Sequence, residues 1–366
     1  MTSNEQGAAT AALVRTGLRG AAILAAGLLF SSNAAAGFYN DGKVLLTGGV
    51  VTIDGAGGGG ITPWATISGY GTRDGINGGL HYTYAYLPNY SLNSYGGTVG
   101  FYDRVELSYT RSTLPTGSTF DTVGLVADIL PGVVGDTGIQ PFNTTIEMDV
   151  FGAKVRLFGD AVYTSDSLIP QVAIGGFYKD NKNKELLHTL QAAKAKDWEA
   201  YVAITKVYFP ISTLVSITGR YTAANQTGLT GFGYKDRTAG GDGGSDKKKE
   251  LRLEVSIATL VAKNTAFGAE YAQHGDFLDG VGVNLNGLGT AGILSAVADL
   301  DLDSLGLVST KNLEKALTQH EDDWYDLFFA YAPNKRISFV VAYAMLGNIT
   351  LTPDQHGFYL STHLTF

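Results

Sequence analysis

Four histidines, His81, His274, His356 and His363, lie in or beside alternating segments where an imidazole could meet a serine hydroxyl such as Ser256 or Ser361. A serine activated by a histidine attacks esters, and on the outer rim of a membrane barrel its target would be a lipid. The rest of that constellation is missing. No G-x-S-x-G elbow and no H-E-x-x-H pair occurs. Cysteine is absent, which removes thiolate nucleophiles, disulfides and cysteine metal sites. His363 and Ser361 fall on the polar face of their segment, away from lipid. The sequence therefore reads as a non-enzyme without a cofactor, and a rim lipid hydrolase is the least favoured of three functions.

Two further patterns have a familiar spelling and the wrong context. Gly55-Ala56-Gly57-Gly58-Gly59-Gly60 matches G-x-G-x-x-G after an alternating stretch. Dinucleotide binding needs a helix to open at once, and here Ile61-Thr62-Pro63-Trp64 leads into another alternating stretch. A tight linker is one expectation. The other is that Gly55, Gly57, Gly58, Gly59 and Gly60 fold inward from the extracellular end as a constriction or gate, a path bulky residues would not allow. Asp299, Asp301 and Asp303 form D-x-D-x-D, but Ser304 and Thr310 stand where a calcium loop needs glycine and glutamate. An acidic helix face is expected, with no metal.

Charge pattern is the better functional clue. Arg104, Glu106, Glu147, Asp149, Lys154, Arg156, Arg220, Glu250, Arg252, Glu254, Glu270 and Arg336 are expected to project into a lumen, with both signs nearly balanced. Such charges must be paired or wet. They either line a weakly selective, water-filled pore or cross-link into a plug.

The elements that would position them are strands. Leu80, Tyr82, Tyr84 and Tyr86 alternate with His81, Thr83 and Ala85; Leu251, Leu253, Val255 and Ile257 alternate with Glu250, Arg252, Glu254 and Ser256. The chain ends the same way: Phe358, Leu360, Thr362, Leu364 and Phe366 against Tyr359, Ser361, His363 and Thr365. Apolar-out, polar-in is the pattern of a transmembrane barrel. Phe366, an aromatic C-terminus on a closing strand, is the signal that barrel-assembly machinery would read. In Ile146–Leu157 the apolar phase switches, which suggests a bulge at Phe151-Gly152 and puts Glu147, Asp149, Lys154 and Arg156 together in the lumen.

Short and long connections alternate, so the short ones belong in the periplasm and the long ones outside. Counting from Phe366, the segment Trp64–Gly71 needs an ascending partner, which Lys43–Ile53 supplies. The total is roughly fourteen strands, or twelve if two weak ones are misread. Helix-like text occupies Glu185–Lys194 and Ala291–Thr318 in the long loops, and Gly240–Lys249 reads as a solvated tip.

Composition agrees. The chain has 48 glycines, 20 tyrosines and 17 phenylalanines among 366 residues, the supply that turns and interfacial girdles require. Arg15 and Arg19, an apolar stretch from Gly20 to Phe30 and Ala34-Ala35-Ala36 spell a secretory signal over residues 1–36, cleaved before Gly37. That stretch is too short for a hydrocarbon core of about 30 Å. Without the signal, 24 basic and 33 acidic residues leave a net charge of −9, a poor match to nucleic acid.

Three segments, Gly55 to Ala65, Gly69-Tyr70-Gly71-Thr72-Arg73-Asp74 and Val99-Gly100-Phe101-Tyr102-Asp103-Arg104-Val105-Glu106-Leu107-Ser108, resemble a family of proteobacterial outer-membrane proteins known only as a domain of unknown function. The resemblance covers the N-terminal third of the mature chain and implies an outer-membrane β-barrel without a known substrate. The expectation is an all-β, antiparallel transmembrane barrel over residues 37–366, embedded in outer-membrane lipid. It would be a passive channel for a small solute, or else a plugged barrel with a structural or surface-interaction role through its long loops.

Overall fold

A computed structural model describes residues 43–71, 75–117, 144–162, 169–235, 245–246, 248–278 and 319–366. Twelve strands close into an antiparallel barrel. They are β1 (Ile76–Tyr86), β2 (Ser91–Phe101), β3 (Val105–Pro115), β4 (Thr145–Phe158), β5 (Gln171–Asn181), β6 (Lys196–Tyr208), β7 (Thr213–Thr222), β10 (Glu250–Ala262), β11 (Thr265–Ala272), β12 (Trp324–Asn334), β13 (Ile337–Ile349) and β14 (Thr352–Thr365). Among the described residues of the connections lie a two-residue ribbon, β8 (Tyr234–Lys235) with β9 (Ser245–Asp246), and one short α-helix, α1 (Lys184–Thr189). The helix overlaps the expected Glu185–Lys194 region, starting one residue before it and ending at Thr189; Ala291–Thr318 lies outside the described residues.

The wall closes where β14 pairs with β1, Gly79 opposite Thr365 and Tyr86 opposite Phe358. This pairing corrects the count. Lys43–Ile53 and Trp64–Gly71 are not the first two of fourteen strands, because β1 already meets the C-terminal strand and no edge remains for them. Twelve, the lower expectation, is the number observed. Short turns at Tyr102–Arg104, Phe209–Ser212, Lys263–Asn264 and Lys335–Arg336 share one end with Phe366, here called the turn end. The long connections share the other, the loop end, together with two tight hairpins at Leu87–Tyr90 and Thr350–Leu351.

Alternation decides which side chains meet lipid. Leu80, Leu107, Phe151, Ile174, Trp198, Ile217, Ile257, Phe267, Leu327 and Phe358 are all exposed on the outside. Aromatic pairs such as Tyr109 with Phe151 and Phe267 with Phe329, at centroid distances of 5.2 and 5.0 Å, join neighbouring strands across this belt. So continuous an apolar surface is stable in hydrocarbon, and the barrel is a transmembrane one.

The expected bulge is absent. β3 and β4 pair without interruption from Pro115↔Thr145 to Val105↔Val155. Ile146, Met148 and Val150 face inward in the same phase as Lys154 and Arg156. Glu147 and Asp149 therefore point outward with Phe151. Asp149 accepts from Tyr109 Oη at 2.9 Å and pairs with Lys182 at 2.8 Å, while Glu147 pairs with Arg111. With Asp180 and Lys196 they make a polar collar at the loop end, above the apolar belt.

The belt makes a depth-dependent prediction. Ile257, in the middle of β10, is 47% exposed on the outside, and Leu251, near the strand's loop end, is 75% exposed. Ile257→Arg should cost roughly 2–4 kcal/mol and Leu251→Arg about 0–1 kcal/mol. Urea unfolding of the protein refolded into lipid vesicles measures both. Equal costs would contradict the membrane placement of this belt.

Candidate functional site

The lumen is occupied by the chain itself. Lys43–Gly71 enters and leaves at the turn end and folds back on itself inside the wall, nearly every residue buried. Its backbone makes a compact knot: Thr52 N donates to Ala56 O at 2.8 Å, Ile53 N to Gly60 O at 3.0 Å, Gly59 N to Thr62 O at 2.9 Å and Trp64 N to Gly57 O at 3.1 Å. Two glycines permit so close a fold. A Cβ on Gly58 would collide with the backbone carbonyl of Thr62, and one on Gly60 with the hydroxyl of Tyr359 on β14.

Barrel side chains complete the knot's hydrogen bonding from almost every direction. Glu106 on β3 accepts from Gly57 N at 2.9 Å and from Ser68 N at 2.6 Å. Lys154 on β4 is 1% exposed and donates to Gly57 O and Thr66 O, each at 2.8 Å, beside Glu106 at 3.2 Å. Glu270 on β11 accepts from Ile61 N at 2.8 Å and from the Thr62 hydroxyl at 2.5 Å. Hydroxyls on β2, β6 and β7 join in: Ser94 donates to Ile53 O at 2.6 Å, Thr205 accepts from Ala65 N at 2.8 Å and Thr218 donates to Pro63 O at 2.7 Å. These bonds satisfy backbone groups that no regular ladder serves.

Charges form two groups, two cations with two acids at the turn end and two cations with three acids towards the loop end. At the turn end, Asp103 joins Lys43, at 2.7 Å, and Arg156, which also reaches Asp160 at 3.5 Å. Towards the loop end, Asp54 at the tip of the inserted segment pairs with Lys179 on β5 at 2.9 Å and Arg220 on β7 at 3.2 Å. Glu199 on β6 and Glu254 on β10 hold the same two cations, Lys179–Glu199 at 2.7 Å and Arg220–Glu254 at 2.5 Å. Between the groups, Glu270 and Asp326 are register partners on β11 and β12, and Asp326 accepts from Tyr359 Oη at 2.7 Å.

Of the twelve charges expected inside, the structure brings together Glu106, Lys154, Arg156, Arg220, Arg252, Glu254 and Glu270, all buried and inward. Arg104 and Arg336 sit exposed in turns, Glu250 is exposed at the loop-end rim, and Glu147 and Asp149 are in the outer collar. Lys43, Asp54, Asp103, Lys179, Glu199 and Asp326 were missed. Gly55–Gly60 lies inside the barrel at mid-height, in a segment inserted from the turn end, not in a loop folding in from the loop end. Ser361 Oγ is spent on Thr83 at 2.7 Å inside the barrel. His356, on the outer face, meets the hydroxyl of Tyr343 at 2.7 Å rather than a serine. Among the described residues no cluster of three or more metal-ligating side chains occurs; Asp299, Asp301 and Asp303 lie outside them.

Residues 47–363, which include most of the inserted segment and nearly all of the wall, match a family described as Protein of unknown function (DUF3034). The chain belongs to this family. No curated protein matches the sequence. Among solved structures, the KdgM porin has a TM-score of 0.41 at 8% identity over 79% of this chain and 99% of its own. The NanC porin gives 0.44 at 8%, over 78% and 98%. The outer membrane phospholipase A from Escherichia coli gives 0.34 at 8%, over 79% and 89%.

At the loop end, Gln226–Thr230 folds inward as a roof. Trp324 Nε1 donates to Gln226 Oε1 at 2.8 Å, Asn181 Nδ2 to Leu229 O at 2.8 Å, and Thr230 Oγ1 to Glu321 Oε1 at 3.1 Å. Burial pushes the Glu321 carboxyl up to about 8. In the unfolded chain it titrates near 4.3. Between those values the folded state holds a proton that the unfolded state has released, so this group's contribution is complete below about 4.3 and lost as pH rises through about 8. The denaturation midpoint should fall from pH 5 to pH 9, and Glu321→Gln should flatten that slope. A variant with an unchanged slope would mean that Glu321 is ionised in the folded protein.

Proposed function

We propose that the protein is an outer-membrane barrel whose own N-terminal segment closes the lumen, so that a small solute passes only when that segment is displaced. The observation that carries this is the burial of Lys43–Gly71 against the wall on all sides, with bonds from β2, β3, β4, β5, β6, β7 and β11. It favours the plugged reading over an open passive channel. The secretory signal of residues 1–36 and the exposed aromatic Phe366, whose backbone pairs with Gly78, fit export and recognition by barrel-assembly machinery.

Every wall strand lies C-terminal to the segment, so a chain lacking Lys43–Gly71 retains the full barrel sequence. In planar bilayers the intact protein should be silent, and the deletion should give stepwise conductance with weak ion selectivity. Both should migrate differently on gels when boiled and unboiled, which certifies folding. Equal conductance by the two would restore the open channel. Silence from a folded deletion would favour a structural or surface-interaction role.

A point substitution tests the seat more gently. Gly60→Leu cannot keep the approach to Tyr359 and should give a folded barrel with intermittent openings. Silence from that variant together with unchanged stability would show that the seat does not depend on Gly60.

A further inference from the structure

Part of the upper lumen is apolar where a porin would be polar. Between the inserted segment and the Gln226–Thr230 roof lies a space of about 50 Å³ bounded by Ile53, Ile61, Leu92, Leu114, Leu346 and Trp324. Water-filled barrels line their interior with polar side chains; here the inward residues are those of a protein core. The roof is strained. Gln226, Thr227 and Gly228 have φ of 41°, 58° and 99°, three consecutive left-handed residues of which two carry side chains. Such strain persists only where surrounding contacts impose it, and it marks segments that move.

Beside this space, sharing Ile61 and Trp324 with it, is a smaller polar pocket of about 20 Å³ that Arg252 lines. Arg252 is 4% exposed. Its Nη1 donates to Ala224 O at 2.6 Å, while Nε and Nη2 have no hydrogen-bond partner. The Gly275 backbone packs against that side of the guanidinium so closely that an added Cβ would lie 2.0 Å from Nη2. The carboxylates lining the pocket, Glu199 and Glu254, are held by Arg220. His274, on the same pocket, is kept neutral because burial and the neighbouring cations hold its pKa well below the usual value. An unpaired buried Nε–Nη2 edge is costly, and it matches the two oxygens of a carboxylate.

We propose that Arg252 and the adjoining apolar chamber bind a linear alkyl monocarboxylate, its head on the Nε–Nη2 edge and its tail under the roof. An apolar cavity of about 150 Å³ takes benzene; this one, at about 50 Å³, is a third of that size and suits the narrow end of an alkyl chain better than a ring. The head displaces Gly275 outward and the tail loosens the Gln226–Thr230 roof. The site lies above the inserted segment and is complete with the lumen closed, so it does not depend on conduction.

The chain's three tryptophans allow a direct test. Trp64→Phe with Trp198→Phe leaves Trp324, which lines both pockets. In non-ionic micelles, ω-bromodecanoate should quench Trp324 saturably, and unbrominated hexanoate, octanoate and decanoate should compete with affinities rising about fourfold per methylene. Arg252→Met should weaken decanoate tenfold or more while leaving quenching by 1-bromodecane unchanged; Leu92→Phe with Leu346→Phe should weaken both. If Arg252→Met fails the boiled-against-unboiled folding check, Arg252→Lys, which keeps the charge and loses the side-on pair, should show the same selective loss. Quenching that is linear with concentration, or decanoate affinity unchanged in the folded Arg252 variant, would overturn the proposal.

Discussion

A charge facing into a closed barrel must find water or a partner, and here the partners are backbone groups of the same chain. Glu106, Lys154 and Glu270 are buried on the wall, and each bonds main-chain atoms of the inserted segment. Carboxylates accepting two N–H bonds, or an ammonium donating to two carbonyls, recover much of the solvation that burial removes. Those bonds require the backbone to come within reach of the wall, which explains Gly57–Gly60. A side chain on Gly59 would occupy the place of the Glu270 carboxylate, and one on Gly60 that of the Tyr359 hydroxyl. The glycine run and the wall charges are two halves of one arrangement, although at least 38 residues separate Ser68 from its partner Glu106 and 209 separate Ile61 from Glu270.

This dependence explains what could be read from the sequence. The wall was legible because a strand with lipid on one side and polar groups on the other alternates with period two, as in Leu251–Ile257 and Phe358–Phe366. The inserted segment was not. Lys43–Ile53 alternates well enough to pass for a strand, yet Val50, Val51 and Ile53 are all buried among lumen groups, so no face of it meets lipid. Nothing local distinguishes a strand that joins a sheet from a segment whose hydrogen bonds go to distant side chains.

The phase error in β4 has a related cause. Apolar-out is a rule for barrels with wet interiors. Ile146, Met148 and Val150 face an interior that is dry at the loop end, while Glu147 and Asp149 reach a collar above the belt. Lower in the same strand, Phe151 meets lipid and Lys154 meets the inserted segment, and the usual rule returns. One uninterrupted strand crosses two environments with opposite preferences, so its pattern resembles a bulge. Lys179 and Glu199 escaped notice because each shares its inward row with aromatic and small residues, Ala173 and Phe177 beside Lys179 and Tyr201 and Ala203 beside Glu199, and Asp54 because it adjoins the glycines.

The interior therefore changes character with height. Near the turn end, Lys43, Asp103, Arg156 and Asp160 bind the segment's base by paired charges. At mid-height, Glu270 and Asp326 face its glycine turn with no ion pair to a cation among the described residues, so two acids that repel when ionised hold the thinnest part of the knot. Above them the tip is tied by Asp54 to Lys179 and Arg220, beneath an apolar chamber. Ile53 and Ile61 of the inserted segment form the floor of that chamber, so the backbone that fills the lumen below also completes the apolar layer above it.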